Sequence, residues 1–210
     1  MLVNYSDAVT CARCENELST KEIVETASPV KGPRIAIRAV VCLLVIVAVF
    51  LGFYVSLVAS ASSLNIEQKA TVRASIRVLK EKGFSTEAML LENLTVFRSN
   101  DNWLNSSVAK ENAYAATNFP FEIMTLYTDF FTYPLDETER AAILLHEARH
   151  LAGKNEHDAY EFVWKNRKQL GWTVDKYNAS VIWQNVRKQT KETVPELFTC
   201  EGKPLGDCTE

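Results

Sequence analysis

Leu144-Leu145-His146-Glu147-Ala148-Arg149-His150-Leu151-Ala152-Gly153 is the stretch on which the reading of this chain turns. Taken as a helix, it sets His146 and His150 one turn apart on one face, within reach of a single metal ion. Glu147 then stands on the side where a metal-bound water would sit. The chain has 210 residues and three histidines, two of them here. Chance produces His-Glu-x-x-His in a chain of this length and composition about once in a few hundred cases, so the pattern is read as chemistry. Arg149 is read as an ion-pairing residue with no catalytic part.

The flanks support a helix. Asp136-Glu137-Thr138-Glu139 has the form of an N-cap with its return partner three residues on, and Gly153 stands where a helix closes. Before Pro134, residues 121–128 read as a strand. Phe121, Ile123, Thr125 and Tyr127 alternate there with Glu122, Met124, Leu126 and Thr128, and neither face is strongly polar. Residues 130–133 are expected to extend it. Residues 99–119, rich in Asn and Ser, read as loop with one helical stretch. Further upstream, helical spacing covers 65–82, with Gly83 as its stop, and Ser85 starts a shorter helix through Leu94. Downstream, a helix over 156–170 ends at Gly171. A third helix starts at Thr173, carries Val174, Tyr177, Val181, Ile182 and Val186, and stops before Pro195.

A catalytic zinc needs three protein ligands and an open position for water, so His146 and His150 require a third partner. Glu156 ranks first, because Gly153 lets the backbone reverse and a carboxylate suits the first turn of the next helix. His157 ranks second, then Asp158 and Glu161. Glu156 also reads simply as a first-turn helix acid.

Residues 39–61 carry no charge, which is long enough to cross a bilayer as a helix. Lys31, Arg34 and Arg38 lie on the amino side, and the positive-inside tendency puts that side in the cytoplasm. The expected organisation is a cytoplasmic tail over 1–34, a retained single-pass transmembrane helix over 35–61 and an extracytoplasmic domain over 62–210. The span contains no acidic residue or histidine and is read as an anchor rather than a place for chemistry. A net charge of −3 offers no basic surface for nucleic acid. The tail holds one Cys11-x-x-Cys14 pair, half of a four-sulfur zinc site; it resembles one knuckle of a zinc ribbon, with Glu15 where glycine is usual. A free dithiol is the favoured reading. Cys200 and Cys208 are expected to close a small C-terminal loop if the domain faces an oxidising compartment.

The His146-Glu147-Ala148-Arg149-His150 run resembles the signature of the zincin metallopeptidases. The spacing His150-x-x-Gly153-x-x-Glu156 is similar to that of several zincin branches, with Glu where the metzincins carry His. Glu156-His157-Asp158-Ala159 is similar to the Glu-x-x-Ala pattern of others. The resemblance covers about residues 136–165. It implies Zn2+ as cofactor, a polypeptide substrate and amide hydrolysis by a zinc-activated water, with Glu147 as general base. It also implies an edge strand before the motif helix, a role expected of 121–128, and an oxyanion donor. Tyr160, Tyr127 and Tyr177 are candidates for the donor, Tyr160 foremost. The fold class expected is α+β and predominantly helical: one transmembrane helix plus a small zincin-like metallopeptidase domain with a short sheet. The alternatives are a membrane-anchored protein with a structural zinc or an inactive peptidase-like domain, and a partner-binding module.

Overall fold

A computed structural model describes residues 9–11, 14–17, 32–107, 114–199 and 207–209. Its helices are α1 (Gly32–Ala59), α2 (Ile66–Glu81), α3 (Ser85–Asn93), α4 (Thr128–Thr132), α5 (Glu137–Leu151), α6 (Glu156–Leu170), α7 (Val174–Tyr177) and α8 (Val181–Thr193). Three short strands, β1 (Val96–Arg98), β2 (Ala115–Asn118) and β3 (Ile123–Leu126), form one sheet. The protein is predominantly helical.

By packing, the chain divides into residues 1–48 and 49–210. In the first unit, Thr10 and Glu17 form an isolated bridge around the cysteine pair. The Cys11 amide donates to the Asn16 carbonyl at 2.9 Å, and Glu15 takes the left-handed backbone, φ 57°. The left-handed conformation at Glu15 is the one for which glycine is the usual choice. α1 is long and apolar enough to cross a membrane, and most of its side chains are exposed. Its last turns, from Val49 on, belong by packing to the second unit, where Leu57 is fully buried.

α5 is the centre of that second unit, packed on α2, α3, α6 and β2. The caps explain where the helices begin. The Asn65 side chain accepts from the Gln68 amide at 2.8 Å, and Gln68 returns the bond to the Asn65 amide at 3.0 Å. Asp136 starts α5 by accepting from the amides of Thr138 and Glu139 at 3.0 and 3.2 Å. Glu139 does not complete the expected box with Asp136. Its buried carboxylate accepts from the Leu135 amide, from Trp172 Nε1 and from the Ser180 hydroxyl, tying the start of α5 to the C-terminal helices.

The strand reading needs three corrections. The strand is Ile123–Leu126 rather than 121–128, because Tyr127 caps α4 and residues 130–133 turn helical. β3 is the central strand of the order β1-β3-β2, so it is not the edge strand that 121–128 was expected to be. β1 and β2 pair both of its edges, and all four of its residues are buried, in keeping with a run in which neither face is polar. β1 runs parallel to β3, and β2 antiparallel. The stretch 99–119, expected as loop with one helical stretch, contains a 3-10 turn at Asn105–Ser107 and then β2, a strand that was not expected, where Ala115-Ala116-Thr117-Asn118 offers no alternation to read. The third C-terminal helix is broken in two. Ser180 accepts from the Trp183 amide at 3.1 Å and starts α8 afresh, so Tyr177 and Val181 lie on different helices.

The core behind α6 is aromatic. The Trp164 ring lies 5.2 Å from Trp183 and 5.6 Å from Phe198, and Trp172 lies 4.8 Å from Trp183. Cys208 is disulfide-bonded; Cys200, its expected partner, lies outside the described residues.

Candidate metal centre

The turn after α5 builds the site. Ala152 ends the helix, and Gly153 takes φ 72°, a left-handed conformation that costs any residue with a Cβ. The chain reverses, the Lys154 amide reaches back to the Arg149 carbonyl at 3.0 Å, and Asn155 caps α6 by accepting from the Asp158 amide at 2.9 Å. Glu156 is therefore the first residue of α6, where the helix dipole favours a carboxylate.

Three side chains converge as a result. His146 Nε2 and His150 Nε2 are 3.1 Å apart. Glu156 Oε2 lies 3.2 Å from His146 Nε2, and its Oε1 lies 3.4 Å from His150 Nε2. Zinc–nitrogen and zinc–oxygen bonds of about 2.0–2.1 Å in a tetrahedron require ligand atoms about 3.3 Å apart. The observed spacings lie near that value, with the two carboxylate distances made by different oxygens, and the three side chains form a group that could hold a metal ion.

The outer contacts agree. His150 Nδ1 donates to the Lys154 carbonyl at 2.9 Å, which points Nε2 toward the centre. Burial alone would lower the His150 pKa. Hydrogen bonds to Glu156 and to the Lys154 carbonyl outweigh it and push the ring up to about 9. Hydrogen bonds from His146 and His150 hold the Glu156 carboxyl far below the usual carboxylate range, against the opposing effect of burial.

Glu147 is buried and lines the cleft beside these groups, and its Oε2 accepts from Thr117 Oγ1 at 2.7 Å. Tyr160 also lines the cleft. Its ring lies 4.4 Å from that of His146, and its hydroxyl donates to Gln189 Oε1 at 2.9 Å. Burial first, then the charges of Glu156 and Glu147, push the Tyr160 phenol above its ordinary range, so it stays a donor.

The remaining expected residues lie elsewhere. His157 Nε2 pairs with Glu196 Oε1 at 2.7 Å, and Glu161 pairs with Lys165 at 2.6 Å. His157, Asp158 and Glu161 group together as a second, separate cluster. The Tyr127 hydroxyl donates to Asp101 at 2.7 Å and that of Tyr177 to Asp136 at 2.8 Å, and neither lines the cleft. Arg149 pairs with Glu87 at 3.2 Å and covers the Phe162 ring. Sequence reasoning missed Thr117, because β2 carries no strand signal, and Tyr114, whose hydroxyl accepts from Asn185 Nδ2 at 2.6 Å on the cleft wall.

β2 forms the other wall. The Tyr127 amide donates to the Tyr114 carbonyl at 3.0 Å, and the register continues through Ala116 opposite Thr125. Alternation along an antiparallel pair therefore makes 116 and 118 the bonded positions. It turns the backbone N–H and C=O groups of Ala115 and Thr117 to the edge that, among the described residues, no strand pairs. The cleft runs along that edge, lined by Ala115 and Thr117 on one side and by Glu147, His150 and Glu156 on the other. No family model, curated protein or solved structure matches this chain.

Proposed function

We propose that this chain is a zinc-dependent peptidase of the zincin type, anchored in a membrane by α1, with its tail in the cytoplasm and its catalytic domain outside it. The observation that carries the reading is the convergence of His146, His150 and Glu156 at tetrahedral spacing beside Glu147, in a cleft that runs along an unpaired strand edge.

His146, His150 and Glu156 would hold the ion, which when bound makes a water acidic and polarises the scissile carbonyl. Glu147 takes the proton from the attacking water as it adds to the carbonyl carbon. It then delivers that proton to the amide nitrogen, so that the C–N bond breaks and an amine leaves. The Thr117 hydroxyl fixes one oxygen of Glu147 and leaves the other to work as the base. Tyr160 stands beside His146, and its hydroxyl, which here donates to Gln189, would have to turn from that partner to meet the developing oxyanion. An extended polypeptide pairs with the free N–H and C=O groups of Ala115 and Thr117, which gives affinity with little side-chain selectivity. Next to the ligands, a cavity of about 170 Å³ bordered by Ala142, Ile143, Val163 and Val186 suits one apolar substrate side chain.

The test uses the full chain purified in detergent. Wild type is expected to carry zinc near one per chain and to cleave an unfolded protein substrate, with activity lost to a chelator and restored by zinc. Zinc without cleavage would support the structural-zinc alternative, and no zinc at all would remove the proposal.

A further inference from the structure

Among the exposed apolar residues of the globular unit, three lie in or near the segments that pack on the end of α1. Trp103 and Leu104, in the loop before the 3-10 turn, are 46% and 39% exposed, and Phe119, at the tip of the β2–β3 connection, is 59% exposed. Trp103, and Phe121 two residues beyond Phe119, contact the helix itself. The Phe53 ring packs 5.3 Å from Trp103 and 5.1 Å from Phe121, and Trp103 Nε1 donates to the Ser56 hydroxyl at 3.1 Å.

We propose that Trp103, Leu104, Phe119 and Phe121 form a membrane-seating surface, by which the domain dips into the same bilayer that α1 crosses. The inference rests on the reading of α1 as a membrane span. Its occupant, lipid, follows from continuity with that span.

Depth carries the argument. The uncharged run begins at Ala39, only 14 positions before Phe53. About 20 helical residues are needed to cross the hydrocarbon, so the bilayer extends past Phe53 towards Ala59. Whatever packs on Phe53 lies at that level, about 9 Å along the helix from Ala59 at 1.5 Å per residue. A seating depth of about 5–10 Å is that of interfacial anchors. Trp103 also has the character of an interfacial residue, an apolar ring with a bonded N–H.

The connection leaves the domain little freedom to lift away. The Ser99 amide donates to the Ser62 carbonyl at 2.9 Å, Ser63 bridges Arg98, and the Trp103 amide donates to the Ser60 hydroxyl at 3.3 Å. Buried amide side chains at this level bond to one another, while Asn105 Nδ2 has no partner among the described residues. Asn102 Nδ2 donates to Asn118 Oδ1 and Asn118 Nδ2 to Asn105 Oδ1, each at 2.7 Å. Phe119 also lines the cleft beside His150 and Gly153, so that end of the cleft opens at the bilayer surface.

Tryptophan fluorescence reads the proposal without reference to metal or activity. Trp164, Trp172 and Trp183 are buried in the core, which makes Trp103 the exposed member of the four tryptophans. The full chain is reconstituted in phosphatidylcholine vesicles whose acyl chains carry bromine either near the headgroup or near the chain end, and a Trp103→Phe variant defines the Trp103 share. Loss of the Trp103 emission is expected with shallow bromine, and a much smaller loss with deep bromine. A chain that floats with the vesicles but keeps its Trp103 emission in both lipids overturns the seating surface and leaves the span intact. A chain that does not float overturns the span, and the seating surface with it. Neither result bears on the peptidase reading.

Discussion

Replacing Asp207 by alanine tests how the ligand-bearing helix is held. α6 presents Glu156 at its first residue and Arg167 near its end. The Arg167 and Asp207 side chains are each 2% exposed and meet at 2.8 Å. The same Asp207 oxygen accepts from Trp164 Nε1 at 2.9 Å, and Arg167 Nη1 donates to the Trp164 carbonyl at 2.8 Å. Alanine at 207 takes the Asp207 carboxylate from a buried guanidinium that keeps its bonds to the Trp164 carbonyl and the Thr209 hydroxyl, and takes the acceptor from the Trp164 indole N–H. Removing one partner of a buried pair costs about 3–5 kcal/mol, whereas an exposed pair contributes about 0–1 kcal/mol. For a domain of about 150 residues, that cost corresponds to a fall in Tm of roughly 6–20 °C, followed by circular dichroism of the full chain in detergent. The double variant Arg167→Met with Asp207→Leu removes both charges and is expected to recover most of the loss. A fall of less than about 3 °C in the single variant, or a double variant no better than the single, would refute the reasoning.

Thr117→Val removes the hydroxyl that fixes Glu147 while keeping its shape. A hydrogen bond to a charged group contributes about 1.5–3 kcal/mol, so kcat is expected to fall about 10- to 100-fold with zinc content unchanged, as steady-state kinetics and metal analysis will read. At Gly153, alanine meets no clash, since the nearest atom to the added Cβ is Phe119 Cζ at 3.8 Å, but φ of 72° strains it. Gly153→Ala should cost about 1–2 kcal/mol in urea unfolding and weaken zinc binding, with Gly153→Asn losing less because Asn tolerates the left-handed region. Asp136→Ala removes the cap of α5 and should cost about 1 kcal/mol at neutral pH. Burial would raise the Asp136 pKa, but bonds from Lys176, Tyr177 and the Glu139 amide win and lower it. A depressed carboxylate stabilises the fold above its unfolded pKa of about 3.9. The gap between wild type and variant should therefore hold from neutral pH to about pH 5 and close as the pH falls below about 4. A gap that widens in acid would contradict the assignment.

The site was legible where its chemistry is local. Histidines at i and i+4 on a helix need nothing beyond helical geometry, and the stop at Gly153 limits how far the next helix can begin from those two rings. Glu156 reached the first rank on that turn alone, and the structure brings it within 3.4 Å of both rings. His157 is adjacent in sequence, but one step around a helix turns it to Glu196. The wall of the cleft was not legible. Ala115-Ala116-Thr117-Asn118 becomes a strand through pairing with β3, a tertiary effect that leaves no periodicity in four small residues. The same cause hid the edge strand, because β3 has the stronger pattern for the reason that it is buried on both sides. The break at Ser180 was missed because its hydroxyl serves both as a cap and as a partner of buried Glu139, and only the first of these is local.

The most direct test of the central claim is zinc content set against cleavage in Glu147→Gln. The variant keeps His146, His150 and Glu156 and removes the base. It is expected to hold zinc near one per chain, as wild type does, while peptide cleavage disappears. If Glu147→Gln cleaves as fast as wild type, or if wild type holds no zinc, the metal centre described above is not an active site.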